Sequence, residues 1–166
     1  MNLLIFGAGG HGRCVKEAAE AAGAFNRIEF LDDNAEIALD KLSHYDKYTD
    51  EFECAFVAIG NSDLRKAWMD KLSGKYRLMS IIHPKAYISK SARIGEGCVV
   101  MAGAVIQTNA AIGAGCIISA NAVVDHDAKT GGFCHINCGA VVPSMTDVPS
   151  GTKVNYNEVY DPLKQR

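Results

Sequence analysis

The sequence has no C-x-x-C pair among its six cysteines, so neither a zinc-type cluster nor a disulfide framework is the expected use of its thiols. It also has no excess of positive charge. With 17 Lys and Arg against 19 Asp and Glu, and a net charge of −2, little is left to neutralise a phosphate backbone, which excludes nucleic acid as the expected partner. Long apolar runs are missing too. Near the amino terminus only Leu3, Leu4, Ile5 and Phe6 run together, with no basic flank before them, so neither a signal peptide nor a membrane span is expected and the expected location is cytoplasmic. What the chain does have is 166 residues that are 48% hydrophobic, enough to bury a full core as one large domain or two small ones.

The first feature that carries chemistry is GAGGHG at residues 7–12, which fits the glycine fingerprint G-x-G-x-x-G. An apolar run precedes it and an alanine-rich amphipathic stretch from Cys14 to Ala22 follows, the order strand, tight loop, helix. Gly7, Gly9 and Gly12 would let the backbone approach a phosphate at the positive end of the helix. A second apolar run ends in Asp32 and Asp33, where an acidic group could meet a ribose hydroxyl. A complete dinucleotide fold needs about 150 residues with a catalytic domain still to follow. Only one half of a Rossmann-type sheet fits before residue 81: strands at Leu3–Phe6, Ile28–Leu31, Cys54–Ile59 and near Leu78–Ile82, with helices at Gly12–Ala22 and Ser62–Leu72. A nicotinamide oxidoreductase is therefore disfavoured. Read alone, the same fingerprint also fits a strand-to-helix turn that binds nothing.

From Ile82 onward the chain repeats every six residues: IHPKAY, ISKSAR, IGEGCV, VMAGAV, IQTNAA, IGAGCI, ISANAV, VDHDAK, TGGFCH, INCGAV. The first position is a β-branched aliphatic except at Thr130, and the fifth is alanine or cysteine. An aliphatic and a small residue pointing inward from each short strand, with turn residues between strands, describe a parallel β-helix. Cys98, Cys116 and Cys134 share the small slot at a spacing of 18 residues, one triangular coil, so they should stack along the axis as core residues rather than as metal ligands.

Hexapeptides of this phase resemble the left-handed β-helix of the hexapeptide-repeat acyltransferases, and the resemblance covers residues 82 to about 153. GAGGHG, LDD and AIGN at Ala58–Asn61, placed ahead of such a helix, resemble the nucleotide-sugar acetyltransferases of the bacillosamine pathway and the sialic acid O-acetyltransferase group. The resemblance implies an α/β half-Rossmann domain at 1–80 that binds a nucleotide sugar, a left-handed parallel β-helix at 81–154, and a tail at 155–166. It also implies a homotrimer with acetyl-CoA as co-substrate, no tightly bound cofactor and no metal. Carried over, Gly9, Gly10, His11, Gly12, Asp32, Asp33 and Asn61 contact the nucleotide sugar. His126 followed by Asp127 matches the family's base and its partner, nine residues before His135, which with Gly139 and Ser144 would contact acetyl-CoA. The sequence departs from the family in lacking one coil after the histidine repeats, where GAVV runs directly into PSMTDVPSGTKV.

Imidazole suits this role because its unperturbed pKa lies nearest neutrality, and the attacking amine or hydroxyl must shed a proton. The expected reaction is acetyl transfer to the amine of a nucleotide-linked amino sugar, with a sugar hydroxyl as the close variant. The alternative is a catalytically lapsed nucleotide-sugar-binding or assembly protein of the same fold.

Overall fold

The computed structural model describes residues 1–165. Strand β1 (Asn2–Phe6) is the centre of a four-stranded parallel sheet, flanked by β2 (Arg27–Leu31) and β3 (Cys54–Val57), with β4 (Arg77–Leu78) beyond β3. Leu3, Leu4, Ile5 and Phe6 are all fully buried, as an apolar run covered on both faces of a parallel sheet should be. Helix α1 (Gly10–Ala22) follows β1 directly and ends at Gly23, whose φ of 67° gives the left-handed cap. Helix α2 (Ser62–Leu72) starts from Asn61, whose side chain accepts from the Leu64 amide at 2.9 Å. A 3-10 helix at Leu42–Tyr48 lies in the β2–β3 connection.

The repeat region forms thirteen two-residue strands, from Ile81–Ile82 to Lys153–Val154, which stack as three parallel ladders. Partners in a ladder are one coil apart, as in Ile117↔Val99 and Ile117↔His135. The inward slots are those the hexapeptide predicts: Val100, Ile106, Ile118, Val124, Ile136 and the alanines and cysteines two residues before them are fully buried. The three cysteines do stack. The Cys116 amide donates to Cys98 Sγ at 3.4 Å, and each thiol points at a carbonyl of the next coil. Thr130, the exception among the aliphatics, is buried, and its hydroxyl accepts from the Gly113 amide at 3.3 Å. The six-residue step continues beyond Val142 through Asp147–Val148 and Lys153–Val154, and Tyr160 closes that end of the core.

The outward columns give the three faces different characters. Tyr87, Val105, Val123 and Val141 form an apolar column, whereas Arg93, Ala111, Lys129 and Asp147 form a mixed, charged one. The third column reads Ile81, Val99, Ile117, His135, Lys153. Its three aliphatic members are buried in the same apolar cluster as Val15, Ala18 and Ala19 of α1, so the small residues of that helix set it close against the β-helix. Where the column turns polar, at His135, this cover ends.

Three expected boundaries move by two residues or more, the first being the third strand, which ends at Val57 rather than Ile59. The strand expected at Leu78–Ile82 is two strands: Arg77–Leu78 completes the sheet and Ile81–Ile82 opens the β-helix. Ser80 makes the break, its hydroxyl donating to the Gly95 carbonyl at 2.7 Å and accepting from the Cys98 amide at 3.1 Å. Helix α1 begins at Gly10 rather than Gly12, which places His11 in its first turn.

Candidate active site

The glycine loop is built as its sequence suggests. Gly7 has φ 105°, and a Cβ on Gly12 would collide with the Gly7 carbonyl oxygen, so the helix can follow the strand this closely only without side chains there. Gly9 is the N-cap and carries no capping side chain, and a Cβ at Gly9 or Gly10 would meet nothing within 4 Å. The side-chain positions of Gly9 and Gly10 at the start of α1 therefore face open space. Asp32 braces the loop from below: Oδ2 accepts from the Ala8 amide at 2.8 Å and Oδ1 from the Asn34 and Ala35 amides at 2.9 and 3.0 Å. These backbone bonds hold its carboxyl below the usual range. Asp33 accepts from the Leu42 amide at 3.1 Å and is otherwise exposed.

The turn of the loop into α1 brings His11 to the place where the third column becomes polar. His11 and His135 line one cavity of about 330 Å³, with Ser119, Asn137 and Cys138 from two successive coils on its far wall. His135 and Gly60 also wall an adjoining cavity of about 320 Å³ that reaches Asn61 and Lys153. Both imidazoles are held neutral. Burial, then the nearby Arg65 charge, lowers His11 to about 4; burial, His11, Lys153 and Arg65 lower His135 to about 4. His135 Nε2 shares a hydrogen bond with the Ser119 hydroxyl at 3.2 Å. His11 Nε2 is buried with no partner among the described residues, a polar atom whose burial is costly unless something in the cavity meets it.

His126 lies elsewhere. It occupies the exposed turn between the apolar and charged faces and does not line the His11 cavity. Its Nδ1 meets Asp127 Oδ2 at 2.9 Å, and Asp127, at φ 60°, takes a second bond on Oδ1 from Asn109 Nδ2 at 3.1 Å. The Asp127 bond raises the imidazole above its ordinary value, and the His126 and Asn109 bonds depress the carboxyl. Asn109 was not singled out by sequence, yet it stands 18 residues before Asp127, in the same turn one coil earlier. Ser144 occupies the turn one coil after His126, where the Met145 amide donates to the His126 carbonyl at 3.1 Å. Gly139 sits in the turn beside Cys138, its amide bonded to the Ala120 carbonyl at 3.0 Å. Within one chain the structure thus brings His11, Asn61 and His135 to adjoining cavities, and leaves His126, Asp127 and Ser144 across the apolar face.

Residues 2–72 match the family model of the PglD N-terminal domain, and residues 91–126 match that of the bacterial transferase hexapeptide (six repeats). The acetyltransferase domain of PglB from Neisseria gonorrhoeae superposes with a TM-score of 0.88 at 31% identity, covering 96% of this chain and 91% of that one. The chain belongs to the hexapeptide-repeat acyltransferases of the nucleotide-sugar group. Its β-helix is the left-handed one of that family. Another member, PerB from Caulobacter crescentus, was solved in complex with CoA and GDP-perosamine; it is 27% identical with a TM-score of 0.73, over 97% of this chain and 92% of that one. UDP-N-acetylbacillosamine N-acetyltransferase of Bacillus subtilis (strain 168) is 36% identical over 111 residues, 61% of this chain. The match spans about half the length of that curated relative, 51%. Among the described residues no group of three or more His, Cys, Asp and Glu is arranged to hold a metal ion, and no helix is long and apolar enough to cross a membrane.

Proposed function

We propose that the chain transfers acetyl from acetyl-CoA to the amine of a nucleotide-linked amino sugar, or to a sugar hydroxyl as the close variant. The observation that carries the reading is the meeting of the glycine-loop His11 with the β-helix His135 in one cavity, where the His11 Nε2 atom has no partner. The dipole and first-turn amides of α1 favour an anion such as a diphosphate, and Gly9 and Gly10, which carry no side chain, leave it room. Asp32 supports this site by holding the loop, Asn61 lines the adjoining cavity, and Asp33 beside Asp32 is exposed. The sugar then extends toward His11 and His135. PerB, solved with CoA and GDP-perosamine bound, gives the reading its substrate class.

His126 is the base in this reading. Asp127 engages Nδ1, so Nε2 is free to take the proton of the amine as its nitrogen attacks the thioester carbonyl. The new C–N bond forms, the C–S bond breaks, and the imidazolium returns its proton to the departing sulfur. Asp127 orients the ring and stabilises the imidazolium, and Asn109 fixes Asp127. Because His126 and the cavity stand on opposite sides of the apolar face, the site is completed by a second copy packed on that face. The outward apolar column, exposed at Tyr87 and half-buried at Val105, Val123 and Val141, supports a homotrimer of this kind. Acetyl-CoA then lies along the junction, near His135, Gly139 and Ser144. Six free cysteines fit a reducing compartment, which supports a cytoplasmic location.

The test is release of free thiol from acetyl-CoA over a panel of UDP-, dTDP- and GDP-linked 4-amino and hydroxyl sugars. We expect turnover with one class, and a His126→Ala variant slowed by about 10²–10⁴-fold in kcat with unchanged nucleotide-sugar affinity. Binding without thiol release from any member would replace the enzyme with a nucleotide-sugar-binding protein of the same fold.

A further inference from the structure

The buried stripe of α2 runs Arg65, Met69, Leu72, with an arginine where an aliphatic residue would pack. Arg65 is fully buried. Its guanidinium donates to four main-chain carbonyls: Nη1 to Ile59 at 2.8 Å and Gly60 at 3.0 Å, Nε to Gly115 at 2.7 Å, and Nη2 to Phe133 at 2.8 Å. None of these partners is a carboxylate. A buried, uncompensated cation is an expensive way to join two surfaces, and carbonyl dipoles offset only part of its desolvation. The placement of the four carbonyls gives the reason. Two belong to the loop that carries Gly60 and Asn61, one wall of the adjoining cavities; the other two lie one coil apart on the β-helix, and Phe133 stands two residues before His135, the opposite wall.

We infer that Arg65 is a positioning residue for the acceptor cavity, tying the 59–61 loop through a planar fork of hydrogen bonds to two successive coils, one carrying Ser119 and the next His135. The inference rests on reading that cavity as the nucleotide-sugar site. Arg65 also supplies a permanent positive charge beside two imidazoles. Burial is the larger cause at both rings; the charged and titratable groups that add to it are His11, Lys153 and Arg65 at His135 and Arg65 at His11, so removing the guanidinium should move both rings part of the way, His11 the more. A lysine retains the charge but cannot span four carbonyls, since its ammonium is a point donor on a flexible stem. A methionine fills the space and removes the charge.

The test compares Arg65→Lys and Arg65→Met with the parent by steady-state kinetics and by NMR titration of the His11 and His135 rings. We expect both variants to raise KM for the nucleotide sugar about tenfold or more, with kcat changed less than threefold, because the cavity walls lose their fixed spacing while His126 is untouched. In Arg65→Met the two rings should titrate nearer the ordinary imidazole range; in Arg65→Lys they should stay depressed. KM within twofold of the parent in a folded Lys or Met variant, with ring titrations unmoved, would overturn the inference and leave Arg65 as packing alone. If the parent itself neither binds nor acetylates any nucleotide sugar, the functional reading fails separately, and the ring titrations alone decide whether Arg65 sets the cavity.

Discussion

Lowering the pH should destabilise this protein through His11 in a way that one substitution removes. The unfolded chain takes up a proton on this side chain near its ordinary value of 6.5, whereas the folded chain resists it until about 4. The stability that the neutral, buried ring contributes is therefore fully present above about pH 7 and is lost as pH falls through the window between those values. The whole shift corresponds to roughly 3 kcal/mol, of which about 2.5 kcal/mol is lost by pH 4.5. His135 adds a smaller loss of the same sign, because its ring is more open to solvent. Urea denaturation from pH 7.5 to 4.5, at a fixed protomer concentration, measures the loss in the parent and in His11→Gln, which keeps a polar side chain but does not titrate. The variant should lose about 2 kcal/mol less than the parent over this range. Acid-sensitive carboxylates such as Asp40, held far below the usual range chiefly by its bond to His44, cancel in the difference. Equal losses within about 0.5 kcal/mol would refute the burial of a neutral His11 beside Arg65.

Asn109→Ala should lower kcat roughly threefold to tenfold without changing KM for the nucleotide sugar, since it frees the carboxylate that orients His126; steady-state kinetics on the best panel substrate checks this. The pH profile of kcat/KM should rise through an inflection above the ordinary imidazole value, because Asp127 favours the protonated ring, and Asp127→Asn should move that inflection down. Thiol labelling of the native protein should modify Cys14 and Cys138, which are exposed, and reach Cys54, Cys98, Cys116 and Cys134 only after denaturation, as mass spectrometry would show.

The β-helix was legible because a six-residue period with two inward slots admits few other folds, and Cys98, Cys116 and Cys134 fell in the slot where the structure buries them. The strand–loop–helix around GAGGHG was equally plain, since the collision of a Gly12 side chain with Gly7 is a local constraint. What sequence left out depends on which faces meet. Nothing in the repeat says that Ile81, Val99 and Ile117 are covered by α1 while Tyr87, Val105 and Val123 are not, because all six occupy the same outward slot. His135 could be recognised as outward-facing, but its nearness to His11 follows from that docking and is invisible to periodicity. Asn109 was recoverable by counting one coil back from Asp127. Arg65 had a fainter signal, a charge in the stripe it shares with Met69 and Leu72.

The central claim, that His126 of one copy serves the cavity of another, is tested most directly by mixing two inactive variants. His126→Ala keeps the cavity and loses the base; His135→Trp keeps the base and fills the cavity. Co-assembled at equal amounts, they leave a site intact only where a cavity from the first meets a base from the second, about a quarter of all interfaces in a random cyclic assembly. Thiol release from acetyl-CoA should return to about a quarter of the parental rate. Activity no higher in the mixed assemblies than in either variant alone would contradict a shared site, and with it the assignment of His126 as the base.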